Sequence, residues 1–320
     1  ILRCLVGSEM CIRDRMNSVL LRCRFRKITA SPLNEDFKLN LLYCCSPLKN
    51  TDRRKIDHMM KKRYFAIPIL AIALHFLLSN LLYFLVERLV LDVFHIPPQQ
   101  FMKYSYWGEI LIYAVLILVF FTLYKLLWRK EISEPRTATN FKDVLGSLVV
   151  GFGICGISGL WIMLAEQLPS LQKSVEAMNA GAENIAGGNA FGTFMIAVIA
   201  APVVEEILFR GIVLRSMRKF SPAWASILIS SVLFGVYHLN IVQAAYATLM
   251  GIAAGILYEK KRNLLFPILV HFANNLITML QGFAPSEVNE LISIFILIMI
   301  APAGYVVCRS LRQGKRADSM

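Results

Sequence analysis

Three short stretches hold the side chains that could do chemistry. They are EEILFR, with Glu205, Glu206 and Arg210; FGVYH, Phe234 to His238; and HFANN, His271 to Asn275. Each sits within a run of apolar residues. An ionisable side chain at the centre of a hydrocarbon layer costs roughly 2.5–3.5 kcal/mol on insertion scales, so such residues face a protein interior and mark a functional path. Helical spacing divides their tasks. Glu205 and Glu206 are neighbours, about 100° apart on a helix of 3.6 residues per turn, and cannot point the same way. Glu206 and Arg210 stand at i,i+4 with the acid first, the favourable order for a pair on one face. Such a pair partly neutralises itself and leaves Glu205 to face something else. Phe234 and His238 share a face by the same spacing, as do His271 and Asn275.

One carboxylate, two imidazoles and one amide from three helices can activate water. Glu205 would take a proton from that water as general base. His238 and His271 would orient the water or, together with Glu205, ligate a zinc ion, since two His and one Glu form a hydrolytic zinc set. Asn275 would donate to a carbonyl oxygen as its carbon becomes tetrahedral. No H-E-x-x-H is present, which excludes a thermolysin-type zinc helix, and no G-x-S-x-G is present. His75 and His95, outside the three clusters, read as structural.

The elements that must position these groups are membrane helices. The chain has 320 residues, 57% of them hydrophobic, with a mean hydropathy of +0.57. That is too apolar for an ordinary soluble domain. Eight apolar segments are long enough, or nearly so, to cross ~30 Å of hydrocarbon: 64–86, 110–128, 144–168, 191–213, 223–239, 243–258, 264–280 and 288–308. The expected fold is all-α, a bundle of about eight transmembrane helices around an intramembrane cavity. Basic loops alternate with acidic or uncharged ones, and only Arg88, Lys103 and Lys173 break the pattern. Lys61 to Arg63, Arg129 to Lys142, Arg215 to Lys219, Lys260 to Arg262 and Arg309 to Arg316 lie on one side. By the positive-inside rule both termini are expected in the cytoplasm. Gly151, Cys155 and Gly159 in the third segment, and Gly251 and Gly255 in the sixth, put small residues four apart and read as close helix packing.

The net charge of +13 is concentrated at the start of the chain. Residues 1–63 hold 15 Lys/Arg against 6 Asp/Glu, and no basic groove interleaved with aromatics follows, so nucleic acid is not an expected partner. Of seven cysteines, five precede residue 46, and no C-x-x-C occurs, which indicates neither a disulfide framework nor a thiolate metal site. Residues 5–15, LVGSEMCIRDR, look like a translated sequencing adapter. Residues 1–58 therefore read as an artefactual or disordered extension, and 59–320 as the membrane domain.

Glu-Glu-x-x-x-Arg, then Phe-x-x-x-His, then His-x-x-x-Asn in successive late spans resembles the CPBP family, the CAAX protease and bacteriocin-processing (Abi) group that includes the type II CAAX prenyl endopeptidase. The resemblance covers residues 191–280. It implies an eight-helix bundle with a conical cavity. It also implies Glu205 as catalytic glutamate, His238 as its aid in holding water, His271 and Asn275 as the oxyanion site, and Glu206 with Arg210 as structural support. The family is labelled metalloprotease, although a metal-free glutamate mechanism has been argued for it. Zinc on Glu205, His238 and His271 and water on Glu205 alone both stay open at this point. The resemblance implies an endopeptidase acting on a membrane-associated peptide or protein. The basic loops, the short length and the absence of eukaryotic appendages favour a bacterial plasma membrane and a substrate without a prenyl group. Two other readings are a peptide-binding immunity protein that never cuts and a proton-coupled transporter. The latter lacks the matched pair of broken helices that inverted repeats produce.

Overall fold

The computed structural model describes the backbone of residues 4–6, 9–13, 20–24, 44–47, 50–95, 98–132, 139–186 and 189–317. Side chains are described over 64–95, 105–129, 139–180 and 189–312. The chain divides into two units, Ile1–Arg63 and Tyr64–Met320. In the first, four short strands pair antiparallel in chain order: β1 (Cys4–Val6), β2 (Glu9–Arg13), β3 (Leu20–Arg24) and β4 (Cys44–Pro47). The side chains behind the reading of residues 1–58 as an extension lie outside the described set.

The second unit is helical throughout its described residues. α1 (Asn50–Arg88, running on into a π-helical turn, Leu89–Val93) begins in the first unit and continues into the second, whose other elements are α2 (Pro98–Ile132), α3 (Phe141–Glu166), α4 (Gln172–Ala186), α5 (190–217), α6 (Ala223–Tyr237), α7 (Ile241–Lys261), α8 (Leu265–Phe283) and α9 (Ser286–Ala317). A helix stands at each of the eight apolar segments. Five segments are long and apolar enough to cross a membrane: Tyr64–Val93, Ser105–Arg129, Phe141–Glu166, Ile241–Lys261 and Ser286–Arg312. The second unit is thus all-α, and the chain is an integral membrane protein. The other three, α5, α6 and α8, carry the polar clusters: α5 is broken into α- and π-helical stretches, α6 has only 15 residues, and α8 is diluted by His271, Asn274 and Asn275.

α5 is the central helix. Every residue from Ile207 to Leu214 is buried, as expected for a helix that is apolar nearly all round. It packs against α2, α6 and α8. α2 contributes a buried stripe at strict i,i+4 spacing, Ile112, Leu116, Phe120, Tyr124 and Trp128, to the same core. α5 also changes pitch along its length. Phe194–Ala200 and Ile207–Leu214 are π-helical and flank the α-helical turn Ala201–Glu206. Pro202, with no N–H for the carbonyl four residues back, stands at the first junction. π segments inside helices are uncommon and gather at functional sites.

α6 and α7 form an antiparallel hairpin across the three-residue turn 238–240, whose Leu239 adopts a left-handed φ of 56°. Gly251 lies against Ser231 and Gly255 against Ile227, so the α7 glycines are contact points. α3 packs on α8 and α9, and the glycine reading needs correction there. A Cβ on Gly151 would collide with the Val270 carbonyl, but Gly159 meets nothing. Gly153 and Gly156 instead face α9 at Ala303 and Ile296. The i,i+4 stripe was read for one partner, whereas α3 has two neighbours on different faces.

A second correction concerns α4, a segment expected to be loop. Val175 and Met178 give it a narrow apolar stripe against Ala165 and Val242, and a search for spanning helices passes over so short and polar a segment. α4 is pinned to the α6–α7 turn. Ser174 Oγ donates to Asn240 Oδ1 at 2.9 Å and Asn240 Nδ2 donates to the Ser174 carbonyl at 2.8 Å; beside them Trp161 Nε1 of α3 donates to the Val242 carbonyl at 2.9 Å.

Candidate active site

The three polar clusters meet where α5, α6 and α8 pack together. The i,i+4 pair on α5 is present: Arg210 Nη1 donates to Glu206 Oε1 at 2.8 Å, with both side chains buried. Sequence spacing could not show that the same Oε1 also accepts from His271 Nδ1 at 3.0 Å, across from α8. A buried carboxylate bonded to a guanidinium can only accept, so His271 carries its proton on Nδ1. Its Nε2 is thereby turned toward Glu205, 3.9 Å from Oε2. Glu205 is partly open, at 13% exposure, while Glu206 is closed at 0%. The two adjacent acids therefore have different surroundings, as their 100° separation requires.

Phe234 joins the cluster. The Arg210 guanidinium lies over its ring, 4.7 Å from the centroid. His238 and His271 stand edge-on to the same ring, at 5.0 and 5.7 Å between centroids, and Phe209 does so at 4.9 Å. His238 was expected inside the fifth span, but it is the first residue beyond α6, which ends at Tyr237. Phe234 and His238 still share a face. His238 Nδ1 donates to the Phe234 carbonyl at 2.9 Å, which again leaves Nε2 as the lone-pair nitrogen. Asn275 lies one turn beyond His271, yet its amide is engaged: Nδ2 donates to the Ala197 carbonyl of the π segment at 2.8 Å, and Oδ1 accepts from Asn274 at 3.0 Å.

With Nδ1 bonded to the Phe234 carbonyl and to Glu206, both histidines keep Nε2 as the nitrogen a metal would take. Among the described residues, however, no three His, Cys, Asp or Glu side chains converge to hold an ion. Glu205, His238 and His271 are in one neighbourhood but are not drawn together as a ligand set.

Two polar residues beside this cluster were given no chemical role by the sequence: Tyr237, inside FGVYH, and His75, read as structural. Tyr237 and His75 are hydrogen-bonded at 2.9 Å between hydroxyl and Nδ1, linking α6 to α1. They are 162 positions apart, and only the packing of the first span against the fifth reveals them.

Residues 187–277 match the family model described as Type II CAAX prenyl endopeptidase Rce1-like. All three motifs fall inside the match. Over that stretch the chain is similar to the CPBP family. A protein of Bacillus subtilis (strain 168), named "Putative membrane peptidase YdiL", is 29% identical over 91 residues. The alignment takes in 28% of this chain and 37% of the length of that relative. No solved structure matches the chain. The CPBP-like segment begins just before α5 and ends inside α8, so it delivers the three helices that carry the polar residues. α1 to α4 and α9 lie outside it.

Proposed function

We propose that this membrane protein is an intramembrane endopeptidase in which Glu205 activates the attacking water. The observation that carries the reading is the division of labour between the two acids. Glu206 is consumed by Arg210 and His271, whereas Glu205 is partly accessible and faces His271 Nε2 at 3.9 Å. Glu205 would take a proton from water as the oxygen bonds to the scissile carbonyl carbon. The carbonyl electrons move onto oxygen. On collapse the C–N bond breaks, and the proton held on Glu205 passes to the leaving amine. His271, held by Glu206, and His238, held by the Phe234 carbonyl, each offer an Nε2 acceptor to orient the water. In this reading Asn275 borders the oxyanion.

The similarity to a membrane peptidase and to the CAAX endopeptidase model supports a membrane-associated peptide or protein as substrate. The alternation of basic loops supports both termini in the cytoplasm, and the similarity to a Bacillus subtilis protein supports a bacterial plasma membrane. Proteoliposomes containing the protein should cleave a membrane-tethered fluorogenic peptide. Glu205→Gln should slow cleavage by about 10²–10⁴-fold, the usual contribution of a general base, while the melting temperature holds. Cleavage by Glu205→Gln at the wild-type rate would refute the assignment.

A further inference from the structure

Asn275 borders the oxyanion in the reading above, and both ends of its amide are fixed. Oδ1 accepts from Asn274 Nδ2 at 3.0 Å, and Nδ2 donates to the Ala197 carbonyl at 2.8 Å. A carbonyl can only accept, so the amide must face Ala197 with its nitrogen. That nitrogen carries two hydrogens, and among the described residues the second has no partner. The bond to Ala197 therefore sets the direction of the N–H that remains.

A carbonyl inside a helix is ordinarily taken by an N–H further along the same chain. Ala197 lies in the π-helical stretch Phe194–Ala200, where each carbonyl bonds the N–H five residues on. At the end of that stretch the Ala201 N–H bonds the Ile196 carbonyl. The next N–H in this register would come from residue 202 and would close on Ala197. Residue 202 is proline, which has no N–H to give. In the α register the partner would be the Ala201 N–H, which is already spent on Ile196. The backbone thus leaves the Ala197 carbonyl over, and α8 packs against this stretch so that Asn275 can use it.

We propose that Pro202 is a positioning residue for the peptidase reaction. By withholding an N–H where the π-helical stretch ends, it keeps the Ala197 carbonyl for Asn275 and so aims the remaining Asn275 N–H at the oxyanion. Its effect on the reaction runs through Asn275 alone. This inference rests on the peptidase reading above.

The test uses the full chain in proteoliposomes and a membrane-tethered fluorogenic peptide. Pro202→Ala restores an N–H that competes for the Ala197 carbonyl. It should lower kcat by about 10–10²-fold, the scale of a misplaced catalytic group, with KM within about twofold of wild type. Its melting temperature should hold or rise, because alanine is a better helix former than proline. Asn275→Ala removes the donor itself and should lower kcat by about 10²–10³-fold. The double variant should be no slower than Asn275→Ala alone. A Pro202→Ala kcat equal to that of wild type overturns the proposal, as does a loss matched by a fall in melting temperature or one that adds to the loss in Asn275→Ala. A second readout needs no cleavage. In protein carrying isotope-labelled asparagine, the Asn275 side-chain amide is identified by its disappearance in Asn275→Ala. One of its protons should be shifted downfield by the Ala197 bond, and Pro202→Ala should remove that shift; an Asn275 signal that does not change overturns the proposal. Glu205→Gln is run alongside. If it cleaves normally while Pro202→Ala is slow, the base assignment fails and the Pro202 role stands. A wild-type protein that never cleaves overturns both.

Discussion

His271 and Glu206, 65 positions apart, are joined by a buried 3.0 Å hydrogen bond that ties α8 to the centre of α5. The carboxylate oxygen that accepts it is also the one that holds Arg210. A pair of charges that looks self-contained on one helix is therefore the clamp that fixes the ring facing Glu205.

The first prediction follows from that clamp. Glu206→Gln leaves the Arg210 guanidinium buried without its counter-charge, and breaking one side of a buried pair costs about 3–5 kcal/mol. The variant should melt far below wild type in detergent and accumulate poorly. Glu205→Gln, one residue away and partly exposed, should melt with the wild type. Equal melting temperatures for the two substitutions would contradict the separation of roles.

Arg210→Lys tests geometry rather than charge. The planar guanidinium both donates to Glu206 and lies over Phe234 at 4.7 Å. An ammonium is a point charge that cannot reproduce a flat stack. The loss should be about 1–2 kcal/mol, within the range for a desolvated cation over an aromatic ring. Thermal melting checks it, and a Lys variant as stable as wild type would show the stack to be incidental.

How much of this was legible in the sequence depends on the distance between partners. The Glu206–Arg210 pair and the Phe234–His238 face were readable because i,i+4 spacing fixes both members on one helix. The π-helical turns around them were not, since apolar residues such as Ile207 to Leu214 give no sign of which carbonyl each N–H will choose. The Glu206–His271 and Tyr237–His75 bonds depend on which helices pack together, and a single sequence is silent on that. α4 was missed because a 15-residue polar helix with a stripe as thin as Val175 and Met178 does not resemble a span. Gly159 was overread because small residues at i,i+4 mark a face without saying whether a neighbour covers it.

That overreading gives a paired test of packing. Gly151→Ala would drive a Cβ into the Val270 carbonyl of α8, a backbone atom that cannot swing aside, and overpacking of this kind costs about 1–3 kcal/mol. Gly159→Ala meets open space and should be neutral or slightly stabilising, since alanine is the better helix former. Melting of the two variants side by side decides whether α3 and α8 approach as closely as described.

The last prediction concerns the clasp that holds the turn after His238. Asn240 does three things: its Oδ1 accepts from the Gln243 N–H to cap α7, the same oxygen accepts from Ser174 Oγ, and its Nδ2 donates to the Ser174 carbonyl. Asn240→Ala removes all three bonds while leaving the His238 side chain and the Trp161 contact to Val242 in place. Loss of the cap alone costs about 0.5–2 kcal/mol. Without the clasp, α4 should lose its hold on the turn, and amide exchange in residues 172–180 should quicken. His238 sits two residues from the missing side chain, beside the left-handed Leu239. Its Nε2 should then be less well placed, so cleavage should slow even where the protein remains folded. Ser174→Ala removes only the hydroxyl contacts and should give a smaller effect of the same kind. Exchange rates over α4 that match wild type in Asn240→Ala would show that the helix is held by its apolar stripe on Ala165 and Val242, and that the clasp does not govern the turn.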